Sequence, residues 1–139
     1  MKFLLDTCAL SELVKPHPNP GVVNWFSQQD ELSLYLAAVS VGELNRGITR
    51  LAAGKRKSFL QKWLTDSVVK RFTERILPLD TDAFVRWGEL QARLDAQGAP
   101  MPAFDSVIAA IALQHRLIIV TRNIKDMQGS GAEVVNPWR

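Results

Sequence analysis

The chain has little cysteine, little histidine and no long apolar segment. Its 139 residues include a single cysteine, Cys8, so an internal disulfide framework is excluded. No apolar run approaches the length of a membrane span, and the run that follows Met1 is too short for a signal peptide. We therefore expect a cytoplasmic protein without membrane association. The length predicts one domain over residues 1–139.

Basic charge is concentrated in one part of the chain. Residues 46–75 contain nine Lys or Arg against Asp66 and Glu74, which leaves eight of the 17 basic and 12 of the 14 acidic residues elsewhere. A basic segment beside an acidic remainder is compatible with polyanion binding, although most such segments are solvated helix faces. Charge alone therefore leaves nucleic-acid binding open.

Short apolar runs alternate with segments of helical periodicity. The predicted strands lie at 2–5, 32–39, 76–79, 117–121 and 133–135, and predicted helices include 46–53, 59–72, 80–97 and 103–115. Gly54 and Gly98 read as helix stops, and Pro102 as a first helical position. Strands alternating with helices imply parallel strands joined by crossovers. We expect an α/β fold, a three-layer helix–sheet–helix sandwich with a mainly parallel sheet of about five strands.

Four carboxylates fall at one predicted edge of this sheet. In open α/β sheets, ligands bind beyond the carboxyl ends of the strands. Asp6 ends the first strand, and Glu43 is predicted in the first turn of the helix after the second. Asp105 is predicted in the first turn of the helix before the fourth strand, and Asp126 in the loop after it. The four converge if these strands are neighbours.

Each acid also has a structural explanation. Asp6 can cap the following helix, and Ser40-Val41-Gly42-Glu43 has the pattern of a capping box. Asp105 would interact favourably with a helix dipole, and Asp126 can be an ordinary loop acid. Only the joint pattern therefore argues for a site.

A cluster of ionised carboxylates has a high electrostatic cost. Two unit charges about 4 Å apart repel by roughly 4 kcal/mol at an effective dielectric near 20. Protonation relieves this repulsion, and so does a hard divalent cation such as Mg²⁺ or Mn²⁺ with oxygen ligands. Such a cation can activate water for phosphodiester hydrolysis. Thr121 and Asn123 add neutral oxygen atoms suited to holding water on the ion.

Four motif blocks carry a family resemblance. The segments FLLDTCALSEL, SVGELNRGITRL, PAFDSVIAAIA and IIVTRNIKDM resemble, in order and spacing, those of the PIN-domain ribonucleases, specifically the VapC-type toxins of bacterial toxin–antitoxin pairs. The resemblance implies a Mg²⁺- or Mn²⁺-dependent endoribonuclease, a cognate antitoxin and a homodimer. It places Asp6, Glu43 and Asp105 on the family's invariant acids and Asp126 on a more variable fourth position. Cys8 departs from the pattern, because relatives commonly have Asn there.

Four basic residues are candidates for RNA binding. Arg46 and Arg50 share one helix face near Glu43, and Arg122 and Lys125 flank the fourth acid. These four residues are the predicted RNA contacts.

Other functions are weighed against the ribonuclease. The alternative function is a non-catalytic PIN-like module that binds RNA or a protein. A haloacid-dehalogenase-type phosphatase would need an acid at the position of Cys8, and a receiver domain would need paired early acids and a late lysine, which the sequence lacks.

Overall fold

The computed structural model describes all 139 residues. One sheet contains β1 (Phe3–Leu5), β2 (Leu34–Ala37), β3 (Ile76–Leu77), β4 (Ile118–Val120) and β5 (Val134–Val135). The α-helices are α1 (Thr7–Glu12), α2 (Pro20–Ser27), α3 (Ala38–Thr49), α4 (Lys55–Lys62), α5 (Thr81–Ala96), α6 (Ala103–His115) and α7 (Ile124–Gln128). A 3₁₀ turn covers Glu31–Ser33, and Trp63–Val69 continues α4 as a π-helix. None of the helices is long and apolar enough to cross a membrane.

The sheet is fully parallel, with the strand order β3-β2-β1-β4-β5. Phe3 of β1 lies opposite Leu34 on one side and Ile118 on the other. The predicted α/β sandwich is confirmed, and so is the assumed adjacency of the first, second and fourth strands. The chain leaves β1 toward β2 and β3 and later returns on its other side as β4. A crevice at the carboxyl ends of β1 and β4 is therefore the expected place for a ligand.

Alternating side chains of β1 bind the helices of the two outer layers to the sheet. Leu4 packs with Ile108 and Leu94 on one face, whereas Phe3 and Leu5 belong to the apolar cluster on the other. Full burial of each such side chain contributes roughly 1.5–3 kcal/mol. The central strand is therefore fixed from both faces, and the residue that follows it has a rigid support.

The capping box considered as the structural explanation of Glu43 is not formed. Ala37 both ends β2 and caps α3, without a side-chain hydrogen bond, so the helix begins at Ala38. Ser40 is already its third residue, and the Ser40 hydroxyl is buried without a hydrogen-bond partner. A Ser-x-x-Glu pattern marks a helix start only when the preceding residues are not helical, and here the strand runs directly into the helix. The helix predicted at 46–53 is wrong in both bounds, because only residues 46–49 are helical and they are the last four of α3. Gly54, predicted as its stop, instead precedes α4 as the capping residue.

Other helix boundaries differ by smaller amounts. Pro102 caps α6 instead of occupying its first position, and Asp126 lies in the short α7 instead of a loop. The predicted stop at Gly98 is confirmed, because Gly98 adopts φ 65° and the following amide bonds back to Leu94 at 3.0 Å. The helix predicted at 59–72 starts earlier, at Lys55, and becomes π-helical at Trp63.

Candidate active site

Asp6 connects the ends of the two central strands. One carboxylate oxygen accepts a hydrogen bond from the Thr7 amide at 2.8 Å, and the other accepts from the Thr121 hydroxyl at 2.7 Å. Asp6 directly follows β1 and Thr121 directly follows β4, so this bond spans the crevice between the two strands. Asp6 is only 4% exposed. It caps α1, as considered from sequence, and it also faces the site.

Glu43 is linked to Asp6 through a single threonine. The Thr7 hydroxyl donates to a Glu43 carboxylate oxygen at 2.8 Å, while the Thr7 amide binds Asp6. Glu43 lies in the second turn of α3, not in the first as predicted, because the helix starts at Ala38. The extra turn still leaves Glu43 at the carboxyl edge of the sheet. Thr7 therefore orients two of the four acids.

Asp105 and Asp126 have no comparable support. Asp105 lies in the first turn of α6, as predicted, and neither acid forms a side-chain hydrogen bond. Burial, followed by the negative charges of Asp6, Asp126 and Glu43, raises the pKa of Asp105 to about 6. The charges of the other three acids therefore act on Asp105, as the sequence argument requires.

An open depression of about 370 Å³ collects these groups at the carboxyl edge of the sheet. We call it the acidic depression; it is lined by Asp6, Thr7, Cys8, Ser11, Lys15, Glu43, Asp105, Arg122 and Asn123. Asp126 does not line it and acts on it through its charge. A larger groove of about 520 Å³ lies elsewhere, between α1, α2 and the π-helix, and is mainly apolar. The chemistry-bearing side chains belong to the smaller depression.

Comparison with known proteins agrees with this geometry. Residues 3–127 match the PIN domain. The chain belongs to the PIN-domain family. It is 35% identical to VapC ribonuclease Y4jK of Sinorhizobium fredii, with 98% of this chain and 97% of that protein covered, and 36% identical to toxin FitB of Neisseria gonorrhoeae, with 98% of each covered. The crystal structure of FitAcB from Neisseria gonorrhoeae superposes with a TM-score of 0.94 at 35% identity, covering 99% of each chain. The chain is thus a PIN domain of the VapC type.

The residues predicted to support the PIN-domain site divide into two groups. Asn123 lines the acidic depression, and its side chain forms no hydrogen bond. Thr121 is fully buried instead, and its hydroxyl donates to Asp6 and accepts from the Asn123 amide at 3.0 Å. Thr121 therefore acts on the site through Asp6 and not through contact with water in the depression.

The predicted RNA-binding residues are also divided. Arg122 lines the depression, whereas Arg46, Arg50 and Lys125 are exposed and lie outside its lining. The role of these three remains a prediction. The sequence argument missed Lys15, which lines the depression and pairs with Glu12 at 3.0 Å. The Glu-x-x-Lys spacing of Glu12 and Lys15 was the available signal, although α1 ends at Glu12.

Cys8 lies beside the acids in an unreactive state. Its sulfur is 3.7 Å from an Asp6 oxygen and 3.5 Å from the Thr121 hydroxyl. Burial raises the pKa of the Cys8 thiol, and the charge of Asp6 raises it further. A thiol held in its neutral form is a poor nucleophile, which agrees with the expectation that Cys8 is not one.

Proposed function

We propose that the protein is a divalent-metal-dependent endoribonuclease toxin that hydrolyses RNA phosphodiester bonds. The observation that carries this proposal is the gathering of carboxylates at the strand switch point, where burial and the charges of Asp6, Asp126 and Glu43 raise the pKa of Asp105 to about 6. The membership of the chain in the PIN-domain family and its similarity to a protein named VapC ribonuclease support RNA as the substrate.

The donor set suits a hard cation. Asp6, Glu43, Asp105 and Asp126 supply carboxylate oxygens. The pKa of Asp105 is raised by burial and by the charges of the other three acids, and a bound cation would offset both effects. No three of these side chains converge into a closed metal-binding group. Mg²⁺ uses few protein ligands and keeps several waters, so such an open arrangement is compatible with it. Mn²⁺ accepts the same oxygen ligands.

The protein's own contribution is orientation. Thr121 and the Thr7 amide fix the two oxygens of Asp6, and the Thr7 hydroxyl fixes one oxygen of Glu43. Asp105 and Asp126 have no hydrogen bonds that would have to break when they bind a cation. A bound divalent ion supplies an activated water and stabilises charge in the transition state. Asp6, Glu43 and Asp105 would hold this ion, and Asp126 would assist directly or through water.

We further propose that a cognate antitoxin covers the acidic depression and that the toxin forms a homodimer in the cytoplasm. The resemblance to the toxins of toxin–antitoxin pairs and the similarity to toxin FitB support the antitoxin. Light scattering of the purified protein, alone and with the product of a neighbouring gene, measures the dimer and the complex.

The direct test is cleavage of total RNA by the wild type and by Asp6→Asn and Asp105→Asn, with product ends sequenced. Wild-type cleavage should require Mg²⁺ or Mn²⁺ and stop in EDTA, and both variants should be inactive with unchanged circular dichroism. Asp95→Asn, an exposed change on α5, is the matched control. Full activity of both site variants would disprove the assignment.

The open arrangement of the acids also favours a second candidate, the non-catalytic PIN-like binding module. That function predicts RNA or protein binding that is insensitive to EDTA, without cleavage in any divalent ion. Equilibrium binding of a labelled oligoribonucleotide with and without EDTA, next to the cleavage assay, separates the two functions.

A further inference from the structure

Two cations line the acidic depression together with the carboxylates. Lys15 follows the end of α1 and its side chain is 50% exposed, and Arg122 follows β4 and is exposed. Both are thus accessible to a ligand that enters the depression. Each cation is held beside the acids by its own contact with the protein.

Lys15 is held by a buried carboxylate. Its ammonium is 3.0 Å from Glu12, which is only 5% exposed. Glu12 also accepts hydrogen bonds from the Asn19 amide at 2.9 Å and from the indole nitrogen of Trp138 at 3.2 Å. The bond from Lys15, followed by the Asn19 amide, lowers the pKa of Glu12, so Glu12 remains charged. One of the three ammonium donors is used, and the others remain available to a ligand.

Arg122 is held by the same tryptophan in a different way. Its guanidinium lies over the Trp138 ring, 5.3 Å from the ring centre, and forms no hydrogen bond with the protein. A cation–π contact occupies the face of the guanidinium and leaves its N–H edges free. These edges can bind a phosphate in the two-pronged geometry typical of arginine.

Trp138 is itself fixed by close contacts of the segment 137–139 with the start of α2. Asn19 donates to the Arg139 carbonyl at 2.7 Å and accepts from the Arg139 amide at 3.2 Å. Gly21 lies so close that a Cβ atom there would be 2.5 Å from the Pro137 carbonyl oxygen. The tryptophan therefore has a defined position from which it contacts Arg122 and the carboxylate that holds Lys15.

We propose that Trp138 is a positioning residue that holds Lys15 and Arg122 as a pair of phosphate-binding cations at the acidic depression. Lys15 and Arg122 would bind the backbone phosphates next to the phosphate that is attacked. The metal-binding carboxylates would act at the attacked phosphate itself. This inference rests on the proposed ribonuclease function. It assigns the main RNA contacts to Lys15 and Arg122, and it gives Trp138, 12 or more residues from every site acid, a role in substrate binding.

The test compares Trp138→Leu and Trp138→Phe with Lys15→Gln and Arg122→Gln. KM and kcat are measured separately on a labelled oligoribonucleotide, and the Kd of the same oligonucleotide is measured in EDTA over a series of KCl concentrations. Lys15→Gln and Arg122→Gln should each raise KM and Kd about fivefold, lower the salt slope by about 0.7, and leave kcat within about twofold.

Trp138→Leu should reproduce the combined effect on KM and Kd. Trp138→Phe keeps an aromatic face for Arg122 but loses the hydrogen bond to Glu12, so it should lose only about one phosphate contact. Lys70→Gln and Arg116→Gln are matched exposed controls outside the depression. Arg46→Gln and Arg50→Gln test the competing hypothesis that the RNA backbone is bound mainly by these two arginines on α3.

Two results of the RNA assays would overturn the proposal. One is an unchanged Kd and salt slope in folded Trp138→Leu, which would reduce Trp138 to a packing residue. The other is a larger loss in Arg46→Gln or Arg50→Gln than in Lys15→Gln and Arg122→Gln. An NMR measurement separates this inference from the ribonuclease function, because the Arg122 Nε–H resonance should carry a ring-current shift that Trp138→Leu removes. An unchanged resonance rejects the positioning role, whatever the RNA assays give.

Discussion

The two halves of the acidic site are built on different physical terms. Asp6 and Glu43 have oxygens fixed by threonine donors at 2.7–2.8 Å. Asp105 and Asp126 have no side-chain hydrogen bonds, and the state of Asp105 is set by burial and by neighbouring charge. The half formed by Asp6 and Glu43 is therefore preorganised. In the half formed by Asp105 and Asp126, the protonation of Asp105 changes with the charge that enters the site. A site of this kind can keep its geometry while its protonation changes with ion binding.

The largest effect should come from removing the support of the preorganised half. Thr121→Val deletes the hydroxyl that binds Asp6, leaves a buried acceptor unsatisfied at a cost of about 1–3 kcal/mol, and should lower cleavage about 10- to 100-fold. The rate of cleavage at saturating Mg²⁺ is the measurement. Thr121→Ser retains the hydroxyl and should keep most of the activity. Wild-type rates in Thr121→Val would show that Asp6 needs no orientation.

The responsive half predicts that ion binding is linked to a proton. Asp105 must lose its proton to bind Mg²⁺, so affinity should fall about tenfold for each pH unit below its pKa of about 6 and level off above it. Calorimetric titration with Mg²⁺ at several pH values between 5 and 7.5 measures this dependence. In Asp105→Asn the affinity should be weak and independent of pH in this range. A flat wild-type profile would remove Asp105 from the ligand set.

The same pKa predicts a change in stability without metal. Because the folded-state pKa of Asp105 lies above its ordinary value of 3.8, Asp105 costs nothing below pH 3.8 and destabilises the fold as pH rises through 6. In EDTA at pH 7.5, Asp105→Asn should therefore raise the free energy of unfolding. After allowance for solvent screening, we expect about 1 kcal/mol, or a Tm increase of about 2–4 °C.

The stability prediction is checked by thermal unfolding at pH 7.5 and pH 4. The gain should disappear at pH 4, where Asp105 is protonated in the wild type. Asp95→Asn should have no effect at either pH, because Asp95 is exposed on α5. An equal gain at both pH values would mean that charge repulsion is not its cause.

The smallest effect concerns the thiol between the two halves. Cys8→Ser replaces a weak sulfur donor at 3.7 Å from Asp6, so cleavage should stay within about twofold of the wild type. Because burial and Asp6 raise the thiol pKa, alkylation of the native protein at pH 8 should be slower than that of free cysteine. Both rates are directly measurable. A tenfold loss of cleavage would give Cys8 a role that its contacts do not indicate.

Sequence patterns were sufficient for the acids because strand ends and helix starts are local features. Asp6 follows an apolar run, Asp105 follows a proline-marked helix start, and the parallel order brings both to one edge. The assumed adjacency of β1 and β4 is confirmed by the pairing of Leu5 with Val120. The general fold and the convergence of the site were therefore predictable.

The supporting contacts were not predictable, because their partners are distant in sequence. The Trp138–Glu12 hydrogen bond joins residues 126 positions apart, and the Thr121–Asp6 bond joins residues 115 positions apart. No local pattern encodes such pairs. The capping box failed for the opposite reason: a local pattern was present, but the uninterrupted passage from β2 into α3 puts the cap position at Ala37, so Ser40 lies inside the helix.

The central position of β1 also sets the order in which the site can appear during synthesis. β1 is translated before its neighbour β4, which follows more than 100 residues later in the chain. A nascent chain that lacks β4 carries Asp6, Glu43 and Asp105 but not Thr121, whose hydroxyl binds one oxygen of Asp6. Pairing over such sequence separation is a late and slow folding event. The site can therefore be complete only after β4 has been made and has paired with β1.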